Sequence, residues 1–272
     1  MPSEKITARM IRERKGKGKI SVLTCYDFPM AKILDRAGID ILLVGDSLAN
    51  VVLGYDTTLP VTMEEMIHHG RAVARARPRA LLVVDMPFGS FQCGADAAVA
   101  NAVRLMKETG ADAVKLEGGR RNAEAVSRMV AAGIPVMGHL GLTPQSVHAF
   151  GGYRVQGRGL EEGDRLLEEA RALEAAGCFS IVLESVPAAL AKRITASIGI
   201  PTIGIGAGAD CDGQVLVLYD MLGLFEEFRP KFVKHFASLA AEVERAVREY
   251  KREVEEGRFP DAEHSFGEGK AG

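Results

Sequence analysis

The stretch Glu108–Gly119, ETGADAVKLEGG, decides how this chain is read. A helical segment stops at Gly110, and Asp112–Glu117, DAVKLE, reads as a short strand that ends in a glycine turn. Period-two alternation puts Ala113, Lys115 and Glu117 on one face and Val114 and Leu116 on the other. An apolar strand therefore aims a lysine and a carboxylate the same way just before it ends. Glu174–Ser185, EAAGCFSIVLES, repeats the helix–glycine–strand order and again ends in an acid.

Working outward, strand candidates begin at Ile20 (ISVLTC), Asp40 (DILLVG), Ala80 (ALLVVD), Asp112 (DAVKLE), Ile134 (IPVMGH), Phe179 (FSIVLE), Ile200 (IPTIGIG) and Gln214 (QVLVLYD). Between most of them lie amphipathic helical stretches such as TMEEMIHHGRAVARA, ADAAVANAVRLMKETG and EEGDRLLEEARALEAAG. Gly38, Gly110, Gly133, Gly177 and Gly199 supply helix stops. Eight such strands alternating with helices over roughly 230 residues predict an α/β fold of the (β/α)8 TIM-barrel type with parallel strands. A doubly wound open sheet is the alternative. The strands are apolar almost to their last residue, as a sheet covered on both faces requires. One catalytic barrel domain is expected over 1–255, with an N-terminal helix and with the segment after Phe228 forming a helix that closes the barrel. A polar C-terminal tail, 256–272, follows.

The 272 residues are 47% hydrophobic with a formal net charge of -2, which suits an ordinary globular enzyme rather than a polyanion binder. The absence of tryptophan argues against a base-stacking platform. The charged N-terminus lacks the apolar centre of a secretory signal, and its basic run Arg12–Lys19 reads as a solvated helix end. No uncharged apolar run approaches the roughly 20 residues that span a bilayer. Cys25, Cys93, Cys178 and Cys211 form no C-x-x-C pair and read as free thiols of a reducing cytoplasm.

Active sites of such barrels lie where the strands end. Those ends carry Tyr26-Asp27, Asp46-Ser47, Asp85, Lys115 and Glu117, His139, and Glu184-Ser185. A strand-end acid taken alone is more often a cap. Four carboxylates, Asp46, Asp85, Glu117 and Glu184, converging on one mouth with Lys115 repel one another unless a further cation offsets them. Their oxygens suit Mg²⁺ or Mn²⁺ better than zinc. His68 and His69 are adjacent on a helix and make a poor chelate. GIGAG at Gly204–Gly208 lacks the G-x-G-x-x-G spacing; it reads either as a phosphate loop or as room for a bulky ligand against the backbone.

TCYD, LLVGDSLANVVLGYDTTLPVTMEEM, VDMPFGSF, VKLEGG, VMGHLGLTPQSVHAFGGYRVQGR and GIGAGADCDGQVLVLYDMLGL closely resemble the ketopantoate hydroxymethyltransferase family, as does FPDAEHSF near the end. The resemblance runs from Thr7 to Phe266 and departs from the family pattern at Ala209, Tyr219 and Ala49-Asn50. It implies transfer of a one-carbon unit from 5,10-methylenetetrahydrofolate to 3-methyl-2-oxobutanoate, giving 2-dehydropantoate through an enolate in pantothenate synthesis. It also implies one Mg²⁺ per subunit and a homodecamer of two pentameric rings. By motif, Asp46, Asp85 and Glu117 match the metal positions, Glu184 the proton acceptor, and Asp46, Ser47, Asp85 and Lys115 substrate contacts, with His139 a further candidate. A phosphoenolpyruvate or isocitrate-lyase-like barrel, a Schiff-base aldolase using Lys115, and a non-catalytic barrel are the competing readings.

Overall fold

Short runs rich in leucine and β-branched residues form eight strands: β1 (Ile20–Thr24), β2 (Ile41–Val44), β3 (Leu81–Asp85), β4 (Ala113–Glu117), β5 (Val136–Gly141), β6 (Ser180–Glu184), β7 (Thr202–Ile205) and β8 (Gly213–Leu216). All pair in parallel and in sequence order, and β8 returns to β1 to close the barrel. The structure is a computed structural model that describes residues 4–227 and 230–267. The chain divides into two compact units, Met1–Leu218 and Tyr219–Gly272.

In the first unit α1 (Ala8–Arg12) precedes the barrel. The strands are then joined through α2 (Phe28–Arg36), α3 (Leu48–Val51), α4 (Met63–Ala74), α5 (Ala95–Thr109), α6 (Ala123–Ala131), α7 (Val147–Phe150), α8 (Leu160–Ala175) and α9 (Ala188–Ser197). Local sequence sets the helix ends. Thr62 and Glu65 form a reciprocal capping box at the start of α4. Gly110 ends α5 in the left-handed conformation, φ 79°. The buried sides of these helices and the alternating strand residues form one apolar core, including Leu81, Leu105, Val136 and Ile181. No helix lies between β7 and β8. The glycine-rich run Gly204–Gly208 leads from the end of β7 into a loop whose carbonyls at Ala209 and Cys211 accept from Lys19 Nζ. Gly213 is required at the closing seam, since a Cβ there would lie 2.4 Å from the Ile20 carbonyl oxygen.

Three of the eight strand starts share a device that ties each to its neighbouring strand. Asp40, just before β2, accepts from the Ser21 N–H of β1 at 2.9 Å. Asp112, just before β4, accepts from the Leu82 N–H of β3 at 2.8 Å. Asp212, just before β8, accepts from the Thr202 N–H of β7 at 2.9 Å. Each aspartate also takes a cation from the N-terminal segment: Arg14 on Asp40 at 2.6 Å, Lys5 on Asp112 at 2.6 Å and Lys15 on Asp212 at 2.8 Å. Arg12 and Lys17 of the basic run are exposed at and beyond the end of α1, as a solvated helix end would be, but Arg14 and Lys15, with Lys5 before them, strap the end where the strands begin.

A short helix α10 (Leu218–Met221) starts at the last residue of the first unit, and the second unit carries α11 (Leu239–Glu255). The helix expected after Phe228 begins only at Leu239. Arg229 lies outside the described residues, and from Pro230 onward the chain forms turns. Phe236 and Leu239 donate their N–H groups to the carbonyls of Met221 and Leu222 instead of to residues four earlier. The strand circle closes by pairing of β8 with β1. In the described part of the tail, the Phe259 ring meets Tyr250 edge-on at 5.5 Å. Among the described residues no helix is long and apolar enough to cross a membrane.

Candidate active site

The strand ends bring together the residues that the alternation marked. Asp85 and Lys115 are register partners on β3 and β4, and Glu117 and His139 are partners on β4 and β5. Lys115 Nζ donates to Asp85 Oδ1 at 2.7 Å with both side chains almost fully buried. The other Asp85 oxygen accepts from the Asp46 backbone N–H at 3.1 Å. His139 stands between two carboxylates, with Nδ1 3.4 Å from Glu117 Oε1 and Nε2 3.2 Å from Glu184 Oε2. Both contacts are ion-pair distances without hydrogen-bond alignment. Asp46, Ser47, Asp85, Lys115, Glu117, His139 and Glu184 thus lie on one barrel end.

Electrostatics follow from that crowding. Burial first, then the charges of Asp85 and Glu117, push the Asp46 carboxyl up to about 8, against the opposing influence of Lys115 and the Gln145 amide. Burial works against the charge on Lys115, yet Asp85, Asp46 and Glu117 outweigh it and hold the ammonium above its usual value. Burial and Lys115 oppose a charge on His139, but the facing Glu117 and Glu184 prevail and push it up to about 9. Four acids, three of them buried, face only Lys115 and the raised His139, so the mouth is short of positive charge when all four are ionised.

Neighbouring elements hold the cluster. Gly45 leaves space where a Cβ would stand 2.9 Å from Ser47 Oγ and 3.6 Å from Asp85 Oδ2. Ser47 opens α3 without capping it; its hydroxyl instead meets the Tyr26 hydroxyl at 2.9 Å. His69 Nδ1 lies 2.8 Å from the Tyr26 carbonyl oxygen, so it supports that strand end rather than a metal. Asp27, the other acid of the first strand end, is a cap: it accepts from the Met30 N–H at 2.8 Å and starts α2. Beyond Glu184 the backbone turns sharply through Ser185 at φ 50°, a left-handed conformation that costs energy for a residue with a Cβ. Gly141, the register partner of Glu184, has no room for a Cβ, which would lie 2.2 Å from the Glu184 carbonyl oxygen.

Residues 5–262 match the family model described as ketopantoate hydroxymethyltransferase. The chain belongs to that family. It is 59% identical over 263 residues to the 3-methyl-2-oxobutanoate hydroxymethyltransferase of Syntrophus aciditrophicus (strain SB), covering 96% of this chain and 97% of the relative. Among solved structures the fold resembles 2,3-dimethylmalate lyase, a PEP mutase/isocitrate lyase superfamily member, with TM-score 0.61, 16% identity, and 97% of this chain and 93% of that one covered. It also resembles phosphonopyruvate hydrolase in complex with oxalate and Mg²⁺, with TM-score 0.60, 14% identity, and 94% and 92% covered.

Do the residues of this family member fit a divalent ion? Every carboxylate at the mouth offers hard oxygen donors, and among the described residues Asp46 Oδ1 has no hydrogen-bond partner. Among the described residues no group of three or more His, Cys, Asp or Glu is arranged as a ready cage. Mg²⁺ needs no such cage, because it commonly takes one or two carboxylates and completes its shell with water and ligand oxygens. The donor set fits that mode.

Sequence reasoning missed several supporting residues. Gln145 is buried and touches Asp46, Glu117 and Met86. Asn122 donates to the Glu117 carbonyl oxygen at 2.7 Å. The phenol of Tyr153, on the segment after β5, is raised by burial and by the charges of Glu184, Asp46 and Glu117. Thr143-Pro144, shortly after β5 ends at Gly141, was the available signal for Gln145, since the proline fixes a turn at the mouth. A cleft of about 410 Å³ at the opposite end is lined by Lys5, Asp35, Arg77, Arg79 and Asp112, but its two acids already hold backbone N–H groups.

Proposed function

We propose that the barrel transfers a hydroxymethyl group from 5,10-methylenetetrahydrofolate to 3-methyl-2-oxobutanoate, giving 2-dehydropantoate for pantothenate synthesis. The observation that carries this reading is the buried Lys115–Asp85–Asp46 cluster beside the Glu184–His139 couple, on one barrel end in a member of this family. Lys115 carries the positive charge that the substrate carboxylate and the oxygen of the developing enolate both need. Glu184, on a different strand from the aspartates, is the proton acceptor at C3. His139 stands between Glu184 and Glu117 and sets a positive charge beside both carboxylates. Ser47, whose hydroxyl meets that of Tyr26, is a substrate contact, and His139 is a further one. Asp46 and Asp85 would hold one Mg²⁺, with Glu117 supporting it directly or through water. When bound there, the ion supplies Lewis acidity to the keto oxygen.

A Schiff-base route through Lys115 is disfavoured, because its carboxylate neighbours keep the ammonium charged while a nucleophilic lysine needs the opposite. The lyase-like alternative rests on fold likeness, which does not carry activity. The resemblance further implies a homodecamer. In support, α11 leaves Val243, Val247, Tyr250 and Val254 exposed as a stripe with the 4-3-4 spacing of an interhelical seam. Four free cysteines support a reducing, cytoplasmic location.

The test is deuterium exchange at C3 of 3-methyl-2-oxobutanoate, followed by proton NMR. Wild-type protein with Mg²⁺ exchanges the hydrogen, and chelator or Glu184→Gln removes the exchange. Added 5,10-methylenetetrahydrofolate then yields the hydroxymethylated product. Exchange that survives complete metal removal, or full exchange in Glu184→Gln, would sink this assignment of roles.

A further inference from the structure

Gln145 sits in the 3-10 turn Pro144–Ser146 that follows β5, yet its contacts reach the ends of three other strands. Its backbone N–H donates to Glu117 Oε2 at 3.0 Å, beyond β4's register partner His139. Its side-chain Nε2 donates to Asp46 Oδ2 at 2.8 Å, after β2, and to the Met86 carbonyl oxygen at 3.0 Å, after β3. Its Oε1 accepts from Gln92 Nε2 at 3.1 Å. Both hydrogens of the amide are therefore engaged. Its orientation follows from its neighbours, since a flipped amide would set an oxygen against a carboxylate and a carbonyl. The side chain is buried, so water does not replace a lost bond at no cost.

One consequence concerns the two oxygens of Asp46. Oδ2 is tied to the amide, while Oδ1 has no partner among the described residues. Glu117 is divided in the same way: Oε2 is tied to the Gln145 N–H, and Oε1 faces His139. A single residue thus fixes the rotation of two of the mouth carboxylates and determines which oxygen each one presents.

We infer that Gln145 is a positioning residue for the divalent ion: by holding Asp46 Oδ2 and Glu117 Oε2 it turns Asp46 Oδ1 outward as a preset ligand atom. This rests on the metal reading above. An amide is the group the position demands. It donates twice without adding charge to a mouth already rich in carboxylates, and lysine or arginine there would compete with the ion.

The experiment measures binding of Mn²⁺ to the purified full chain without substrate, from the electron paramagnetic resonance signal of free Mn²⁺. Gln145→Met keeps the side-chain length and the backbone N–H but deletes both donors to Asp46 and Met86. It weakens Mn²⁺ binding by roughly 10- to 100-fold, the usual effect of removing an outer support of a ligand. Gln92→Met, which leaves both donors in place, weakens it less than about threefold on the same scale. Turnover of Gln145→Met recovers as Mn²⁺ is raised, so the loss appears in the metal concentration needed and not in kcat at saturation; a merely structural defect would not show that split. Should methionine prevent folding, as judged by near-ultraviolet circular dichroism, Gln145→Ala carries the same prediction. A folded variant with a dissociation constant within twofold of wild type overturns the inference and leaves the metal reading intact. Wild type that binds no Mn²⁺, or binds it as well after Asp46→Asn, overturns the metal reading and this inference with it.

Discussion

Replacing Asp212 with alanine tests whether the end of the barrel where strands begin is held by backbone clamps or by ion pairs. The buried carboxylate of Asp212 accepts from the Thr202 N–H at 2.9 Å, from Lys15 Nζ at 2.8 Å and from the Gly16 N–H at 3.2 Å. Alanine leaves the buried Thr202 N–H without an acceptor, which costs about 1–3 kcal/mol. It also removes the counterion of Lys15, whose side chain is partly solvated, a loss of about 1 kcal/mol. Lys15 keeps the Thr195 carbonyl oxygen at 2.6 Å, so the orphaned N–H at about 2 kcal/mol and the lost pair at about 1 kcal/mol together cost about 3 kcal/mol. For a unit of this size each kcal/mol moves Tm by about 2–4 °C, which predicts a fall of about 6–12 °C. Lys15→Met leaves Asp212 bonded to both backbone N–H groups and removes one partly solvated charge, so it costs about 1 kcal/mol and 2–4 °C. Calorimetry of the two variants at pH 7 decides the matter. A Lys15→Met loss equal to or larger than that of Asp212→Ala would refute the clamp argument and make the ion pair dominant.

Glu184→Asp keeps the carboxylate but retracts it by about one carbon–carbon bond, 1.5 Å. The backbone cannot follow, because Glu184 is paired on both sides by β5 and β7; C3–H exchange should fall about 100-fold, and a wild-type rate would deny Glu184 the role of base. Asp46 and His139 both have folded values above their unfolded ones, at about 8 and about 9, so their contributions to stability are present at low pH and are lost as pH rises through those values. Metal-free protein should therefore melt earlier as pH is raised from 6 to about 9, with Mg²⁺ or Asp46→Asn flattening that decline; a flat profile without metal would contradict it. Asp40 and Asp212 are held below the ordinary aspartate value: burial opposes this, but Ser21 with Arg14, and Lys15 with the Thr202 N–H, prevail. Their contribution is present above 3.8 and lost as pH falls below it, so acid melting should be shallower in Asp212→Asn. Val247→Asp with Tyr250→Asp on α11 should reduce the particle mass seen by light scattering if that stripe lies between subunits, and an unchanged mass would exclude it.

The alternation around Lys115 carried most of the fold. Apolar strands of four to six residues, most of them preceded by a glycine-stopped helix, favour a parallel sheet, and all eight strands formed at or near their patterns, although Leu218–Asp220 at the end of the last pattern went into α10. Contacts between residues distant in sequence were not legible in that way. Gln145 and Asp46 are 99 residues apart, and Lys15 and Asp212 are 197 apart. No periodicity encodes such pairs, because each depends on the register in which the sheet closes. The same limit explains why Arg14 and Lys15 of the basic N-terminal run passed for part of a solvated helix end. The sequence contains two sets of aspartates beside strands, and the residue type alone does not separate them. Asp40, Asp112 and Asp212 precede their strands and find backbone N–H groups plus a cation, so their charge is fully answered. Asp46 and Asp85 follow or end theirs and share a single lysine. Neutralising a residue of the first set should lower Tm and leave kcat unchanged well below melting. Neutralising Asp46 should relieve repulsion, raise the Tm of the metal-free protein and abolish turnover. If Asp46→Asn instead destabilised the metal-free protein, its carboxylate would be answered within the fold, and the case for a missing cation at this mouth would fail.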